Sequence, residues 1–169
     1  MMHERHYPNH LLICRPPLMG AEVYETQVQE EAEIDLTVFH DNDVAASSAA
    51  AFGRSSGLTQ VQIQMMATAI YELGNNILIH AGGGTMTIQT VEQAGCKGVR
   101  ITASDRGPGI ADIQRALVDG YTTRPRFSSL GLGLGGVSRL MDEMTIDSTP
   151  GKGTCIVATK WGLGTHEPR

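Results

Sequence analysis

The feature that most limits how this chain can fold is the grouping of its glycines. The sequence has 20 glycines in 169 residues, and many of them crowd into the segments 82–84, 107–109, 131–136 and 151–153. Glycine weakens the interior of helices and strands, but it fits sharp turns and sites where the backbone approaches another group closely. The grouping therefore predicts specific loops between regular elements and not a flexible linker.

Length and charge narrow the class of protein. A chain of 169 residues fits one compact domain, which can bury roughly 70% of its unfolded surface. The 13 basic and 18 acidic side chains argue against broad binding to a nucleic-acid backbone. No segment approaches the ~18 apolar residues of a membrane span, and the first residues do not resemble a signal peptide. We therefore predict a cytoplasmic protein with neither a nucleic-acid nor a membrane partner.

The cysteines give no sign of a covalent or metal framework. Cys14, Cys96 and Cys155 are odd in number and show no CxxC or CxxH spacing. Neither a disulfide framework nor a zinc site is therefore expected.

Hydrophobic periodicity and turn residues predict the order of helices and strands. The elements are strands at 33–39, 85–92, 98–104, 143–149 and 154–161, and helices at 41–54, 59–81, 110–119 and 134–142. Helices that fall between mostly antiparallel, half-polar strands are typical of an α/β fold. We predict a two-layer α/β sandwich with a mixed, mostly antiparallel sheet and helices on one face.

The same patterns divide the chain into three regions. Residues 1–31 show no clear period and end in an acidic run, so they are expected to form an N-terminal extension. Residues 32–162 are expected to form the folded domain, and residues 163–169 a C-terminal tail. Within the domain, Thr59 is expected to cap the long helix, and the sequence from Pro150 to Gly153 predicts a tight turn.

The long helix carries the first candidate site, the segment Glu72-Leu-Gly-Asn-Asn76. At 3.6 residues per turn, Glu72 and Asn76 lie one turn apart, beside the apolar stripe of the helix. A carboxylate there can accept the proton of an attacking hydroxyl, and an amide oxygen can bind Mg²⁺. A solvated helix with the same spacing remains an alternative.

The second candidate is Asp105-Arg-Gly-Pro-Gly109, directly after a predicted strand. An ionised carboxylate only accepts hydrogen bonds, so Asp105 would favour the amino group of adenine over O6 of guanine. The two glycines would let the backbone approach the ligand. An ordinary strand-to-helix turn is the alternative.

The third candidate is the run from Gly131 to Gly136, ahead of a predicted helix. Free N–H groups and the positive end of the helix dipole favour a phosphate at such a position. The run is not a Walker A loop, because no Lys-Ser/Thr follows it. A flexible loop is the alternative.

Taken together and in this order, the three segments resemble the GHKL family of ATPases and kinases. Glu72 and Asn76 match the family's N box, Asp105-x-Gly107-x-Gly109 matches its first glycine box, and Gly131-Leu-Gly-Leu-Gly135 matches its second. The resemblance covers about residues 33–161. It implies a Bergerat fold that binds ATP and Mg²⁺.

The resemblance also implies a role for each matched residue. Glu72 would be the catalytic base, and Asn76 would bind both the nucleotide and the metal. A lid would span about residues 112–131. The remaining nucleotide-binding residues would be Asp105, Gly107, Gly109, Ile110, Gly131, Leu132, Gly133, Leu134, Gly135 and Thr154.

Further segments are similar to RsbT-type switch kinases of bacterial partner-switching and stressosome pathways. They include the strings 67–73, 105–110, 119–123, 139–143 and 159–161. This similarity implies a serine/threonine protein kinase that phosphorylates a STAS-domain antagonist and binds a PP2C-type phosphatase or a sigma factor. A homodimer is compatible with it. The alternative is an anti-sigma or other regulatory binding module that holds ATP as a structural ligand without phosphotransfer.

Overall fold

A computed structural model describes residues 25–118 and 132–163 of the chain. Its strands are β1 (Gln27–Leu36), β2 (Gly84–Gln93), β3 (Cys96–Asp105), β4 (Glu143–Thr149) and β5 (Gly153–Trp161). Its helices are α1 (Asp41–Ser55), α2 (Gln60–Ala81), α3 (Ile113–Ala116) and α4 (Gly133–Leu140). Most of the predicted N-terminal extension, residues 119–131 of the predicted lid and nearly all of the tail lie outside the described residues.

The five strands form one open sheet in the order β1-β2-β3-β5-β4. Every strand pair in it is antiparallel, so the sheet is more regular than the mixed arrangement expected from the sequence. Two hairpins, β2–β3 and β4–β5, join strands that lie next to each other in the sheet. The β2–β3 connection is Ala94-Gly95 with positive φ at both residues, which suits the twist of a two-residue hairpin.

Helices α1 and α2 cover one face of the sheet, and the core lies between the two layers. The predicted apolar stripe of α2 is buried there; it comprises Ile63, Met66, Ile70, Leu73 and Ile77. It packs over Met86, Ile88, Val99 and Ile101 from the central strands. Burying a side chain of this size stabilises the fold by about 1.5–3 kcal/mol. The predicted two-layer α/β architecture is confirmed.

Local signals fix both ends of α2. The Thr59 side chain accepts a hydrogen bond from the Gln62 backbone N–H, and the Gln62 side chain accepts one from the Thr59 backbone N–H. This capping box confirms the predicted cap. The helix ends where Gly82 adopts a left-handed conformation with φ of 76°, which glycine reaches at little cost.

Strand β1 differs from its predicted bounds at both ends. It starts at Gln27, ahead of the predicted 33, because backbone pairing with β2 orders an edge strand even where charged side chains hide the alternation. It stops at Leu36, ahead of the predicted 39, because the Asp41 carboxylate accepts the N–H groups of Thr37 and Val38 at 2.7 and 2.8 Å. Phe39 is consequently 58% exposed.

Helices α3 and α4 are shorter than the predicted 110–119 and 134–142. Asp112 caps α3 by accepting the Arg115 N–H, so the helix begins only after it. Helix α4 ends at Leu140, whose carbonyl accepts a hydrogen bond from the buried Lys160 ammonium at 2.9 Å. Lys160 also pairs with Asp142 at 3.1 Å, which holds the chain that leaves α4 against β5.

The cysteines also differ from the expectation. Cys96 is disulfide-bonded, whereas Cys155 is a free, half-buried thiol. Burial, reinforced by the carboxylates of Asp147 and Asp105, raises the pKa of the Cys155 thiol. The count of cysteines alone did not show which of them would be bonded.

A close contact between α1 and α2 fixes the helix turn that carries Glu72. The Asn42 side chain is 1% exposed, and its amide donates to Asn75 Oδ1 at 2.9 Å. Its Oδ1 faces Gly74, where an added Cβ would lie 1.9 Å away. Glycine at 74 is therefore required by packing, although it is a poor helix former.

We expect Gly74→Ala to lower the free energy of unfolding by up to about 2 kcal/mol, because overpacking costs about 1–3 kcal/mol and alanine recovers about 1 kcal/mol of helix propensity. In an Asn42→Ala background the clash is gone, so the same change should stabilise the protein by up to about 1 kcal/mol. Urea unfolding of the four proteins tests this reversal of sign. Equal effects of Gly74→Ala in both backgrounds would contradict the contact.

The Asp41 carboxylate gives a pH-dependent test of the β1–α1 turn. Hydrogen bonds from the Val38 and Thr37 backbone lower its pKa below 3.8. A carboxyl group with a lowered pKa in the folded state stabilises it above the unfolded pKa and loses that effect as the pH falls through the folded pKa.

We therefore expect Asp41→Ala to be less stable than the wild type at pH 7, and the gap in the free energy of unfolding to close as the pH falls through the lowered pKa of Asp41. Urea unfolding from pH 7 downward measures the gap, and Asp35→Ala, at an exposed carboxylate of β1, is the control. A gap that stays constant with pH would show that the carboxylate charge is not what holds the turn.

Candidate nucleotide-binding site

One end of the sheet carries a row of polar side chains on the face that the helices cover. Asp105 ends β3 and pairs with Thr154 of β5, which in turn pairs with Ser148 of β4. Side chains two residues apart share a face of a strand, and Ala103 and Ile156 on this face belong to the core. Asp105, Thr154 and Ser148, called the polar row below, therefore continue the core layer at its edge.

Asp105 is half-buried, and its two oxygens have different surroundings. Oδ1 accepts the backbone N–H of Gly107 at 2.7 Å, which closes the turn after β3. Oδ2 receives no hydrogen bond from the residues that the structure describes. Because an ionised carboxylate is an acceptor only, Oδ2 is positioned to take a donor from a ligand.

The two glycines of the first glycine box lie in narrow gaps. A Cβ at Gly107 would lie 2.6 Å from Cβ of Ala81 at the end of α2. Gly109 has φ of 70°, and a Cβ there would lie 2.3 Å from the Thr149 carbonyl. The turn after β3 is thus wedged between α2 and the β4–β5 hairpin, and only glycine fits both positions.

Ser148 ties the same turn to the hairpin. Its Oγ accepts the Ile110 N–H at 2.8 Å and lies 2.9 Å from Thr154 Oγ1 and 3.1 Å from the Gly153 carbonyl. Nothing in the motif spacing pointed to Ser148. The signal that could have found it is the predicted tight turn from Pro150 to Gly153, because that turn sets the register that places Ser148 opposite Thr154.

Helix α2 brings the N box to the same end of the domain. Glu72 is 5% exposed and Asn76 is half-buried. From Ala81, which touches the turn after β3, Asn76 lies about 8 Å and Glu72 about 14 Å along the helix axis at 1.5 Å per residue. An elongated ligand lying along α2 would therefore meet Asp105 first, then Asn76, then Glu72.

The second glycine box is the beginning of α4 and not a loop ahead of it. Leu132 is the N-cap residue without a side-chain cap, and Gly133 starts the helix with φ of 57°. Leu134 and Gly135 are buried in the first turn, while Gly131 lies outside the described residues. The first N–H groups of a helix have no partner within it, so this end of α4 can face an anion.

The residues fit a magnesium ion held together with a substrate. Within residues 25–118 and 132–163, no group of three or more His, Cys, Asp or Glu side chains is gathered into a metal cage. Mg²⁺ is commonly held by one or two protein oxygens plus substrate phosphates, and the Asn76 amide beside the ligand path offers one such oxygen.

Among the helices that the structure describes, none has the length and apolar character of a membrane-spanning segment.

Comparisons with known proteins agree with this geometry. The model of the histidine kinase-like ATPase domain matches residues 41–160. The chain is 46% identical over 105 residues to serine/threonine-protein kinase RsbT of Bacillus subtilis (strain 168), a match that covers 62% of this chain and 77% of that protein.

Anti-sigma F factors are similar over a longer span. The identity is 34% over 129 residues to the protein of Pasteuria penetrans, covering 73% of this chain and 85% of the relative. The identity is 34% over 128 residues to the protein of Thermoanaerobacter sp. (strain X514), covering 75% of this chain and 89% of the relative.

The matched span runs from the first residue of α1 into β5, and so includes the polar row, the N box and the start of α4. These matches confirm the predicted GHKL-type domain and its ATPase or kinase class. The chain belongs to the histidine kinase-like ATPase family.

Proposed function

We propose that this protein is an ATP-dependent serine/threonine protein kinase of a bacterial partner-switching pathway. One observation carries the proposal: a buried glutamate, Glu72, lies on the same helix as Asn76, and that helix ends against the turn of Asp105. A protein that only holds a nucleotide does not need a buried acceptor for a hydroxyl proton at the far end of the ligand path.

In this proposal the adenine base lies at the polar row. Asp105 Oδ2 accepts a hydrogen from the 6-amino group, while O6 of guanine would face it acceptor to acceptor. Gly107 and Gly109 form the floor of the pocket, because no side chain fills the gaps there. Ile110 and Thr154 border the base on the side of the hairpin.

The polyphosphate lies between α2 and the start of α4, two helices that pack against each other. Backbone N–H groups at the start of α4, in the segment 132–135, face the phosphate oxygens, where the positive end of the helix dipole stabilises their charge. Asn76 would hold the metal from the α2 side. When bound, Mg²⁺ would offset the negative charge that develops on the phosphates during transfer.

Glu72 acts on the partner protein's hydroxyl. Its carboxylate orients the Ser or Thr O–H and accepts the proton as the hydroxyl oxygen bonds to the γ-phosphorus. The bond between the γ-phosphorus and the bridging oxygen breaks, and ADP leaves with that electron pair. Burial of Glu72 limits competition from water for this position.

The names of the relatives support a regulator that acts on other proteins. One is a serine/threonine-protein kinase, and others are anti-sigma F factors. We propose that the substrate is a STAS-domain antagonist in the cytoplasm, and that the released kinase binds a PP2C-type phosphatase or a sigma factor. The similarity to anti-sigma F factors also favours a second candidate, a regulatory binding module in which ATP is a structural ligand.

Two substitutions distinguish a loss of phosphate transfer from a loss of ATP binding. Glu72→Ala should reduce phosphate transfer by about 10²–10⁴-fold, the usual contribution of a general base, while ATP affinity stays close to that of the wild type. Asp105→Asn should weaken ATP binding by about 10- to 100-fold, since a hydrogen bond to a charged group contributes about 1.5–3 kcal/mol. Glu33→Ala, at an exposed position of β1, is the control.

Transfer is measured with ATP labelled on the γ-phosphate and a panel of STAS-domain proteins, and affinity by calorimetry. Label on a Ser or Thr of the partner supports the kinase. Normal transfer by Glu72→Ala would show that the assigned base is wrong. Tight ATP binding without any label on a partner would instead favour the binding module.

A further inference from the structure

We propose that the sheet face opposite the helices is a docking surface for residues 11–19 of the same chain. This apolar segment, Leu11-Leu-Ile-Cys-Arg-Pro-Pro-Leu-Met19, precedes the described residues. It would lie over Trp161, held by a disulfide bond between Cys14 and Cys96. The surface is at the other end of the sheet from Asp105, so it is independent of the proposed function.

A second apolar cluster lies on this open face. Val91, Cys96 and Trp161 form it, and each of them is at most 4% exposed. The Trp161 ring lies over Gly98, where an added Cβ would be 2.7 Å from Cε3 of the ring. Its Nε1 donates to Glu143 Oε1 at 3.0 Å. The described helices pack into the main core on the other face, so this cluster consists of strand residues only.

The burial of Trp161 requires a cover from outside the sheet. A tryptophan side chain buries about 150–250 Å², yet Trp161 is 0% exposed and Thr159, on the same face, is 2% exposed. Side chains stand roughly perpendicular to a sheet, so neighbouring strands shield the edges of the ring and not its outer face. Another part of the chain must therefore lie over this cluster.

The cysteines identify that part of the chain. The sequence has three cysteines; Cys96 is disulfide-bonded and Cys155 is a free thiol. Within one chain, this leaves Cys14 as the partner of Cys96. Because Cys96 belongs to the second cluster, a bond to it would bring the apolar neighbours of Cys14 beside Trp161.

The start of β1 makes this contact easy to reach. Gln27 pairs with Glu92, and Cys96 pairs with Gln93, so the chain enters the sheet next to the second cluster. Strands β1 and β3 are two positions apart in the sheet, a distance of about 10 Å. An extended chain from Cys14 to Gln27 reaches roughly 40 Å at ~3.3–3.6 Å per residue. The segment can therefore cross the face without strain.

The charges of the face also fit the segment. Exposed carboxylates border the open face on both edge strands, Glu31 and Glu33 on β1 and Glu143 and Asp147 on β4. The segment 11–19 contains one arginine and no acidic residue. An apolar centre between acidic edges suits an apolar segment with a positive charge.

The bond forms by exchange with a low-molecular-weight disulfide such as oxidised glutathione. One cysteine thiolate attacks this disulfide and releases a glutathione thiol. The second cysteine thiolate then displaces the other glutathione from the mixed disulfide. Two protein thiols thus lose two electrons and two protons, and one oxidised glutathione becomes two thiols. A reducing cytoplasm reverses the exchange, so the covalent tether closes under oxidising conditions.

Trp161 is the single tryptophan of the chain, so its fluorescence reports directly on the surface. The test compares the full-length oxidised wild type with Cys14→Ser and with the double variant Leu12→Asp/Ile13→Asp. Both variants should show red-shifted emission and stronger quenching by acrylamide, because water reaches the ring once the segment leaves. Cys14→Ser should also lower Tm by roughly 5–15 °C, the usual effect of losing a disulfide across a long loop in a domain of this size.

Two controls match these changes. Cys155→Ser removes a thiol that is free, and Met2→Asp places the same charge outside the apolar segment; both should quench like the wild type. Far-UV circular dichroism and cooperative unfolding check that each variant is folded. Reduction of the wild type with dithiothreitol, which changes no residue, should also increase the quenching.

Peptide mapping of protein incubated with oxidised glutathione identifies the occupant of the face. We expect Cys14 linked to Cys96 within a monomer. A linkage between two chains would assign the face to a second copy and overturn the inference. Two free thiols after this incubation would overturn it as well, and so would equal quenching of Trp161 in the oxidised wild type, the reduced wild type and the folded variants.

Discussion

The site depends on how closely the turn after β3 approaches its neighbours. Gly107 lies against Ala81 at the end of α2, and Gly109 against the Thr149 carbonyl of the β4–β5 hairpin. A backbone hydrogen bond from the Gly151 N–H to the Pro108 carbonyl, 2.7 Å long, also joins the turn after β3 to the β4–β5 hairpin. Any side chain at the two glycines would push these elements apart, so the geometry around Asp105 exists only because the chain has no Cβ atoms there.

The other parts of the site are fixed by polar contacts between the elements, most of them buried. The amide of Asn42 holds the α2 turn that contains Glu72, and the Tyr71 hydroxyl donates to Asp43 nearby. At the other end of α4, Lys160 joins the last carbonyl of the helix to Asp142. Buried polar groups of this kind are costly unless they are paired, so each contact restrains the helices that would face the nucleotide.

The sequence predicted the parts of this structure that are local. The stripe of α2 and the Thr59 cap follow from spacing alone, and the order of the three motifs led to the correct family. Ser148 could not be found in this way, because its neighbours are set by strand register and not by the nearby sequence. The early start of β1 was missed because pairing with β2 outweighs its charged pattern. The start of α4 at Gly133 was missed because glycines usually weaken a helix.

The central claim is that the Asp105 turn, the N box and the start of α4 act on one adenine nucleotide. The most direct measurement is calorimetry with Mg-ATP on the folded, nucleotide-free protein, with Mg-GTP as the matched control and thermal unfolding as a second readout. We expect saturable one-site binding of ATP, a much weaker signal from GTP, and a stabilisation of about 2.7 kcal/mol at a hundredfold excess over Kd. No heat and no shift in Tm with ATP would contradict the account.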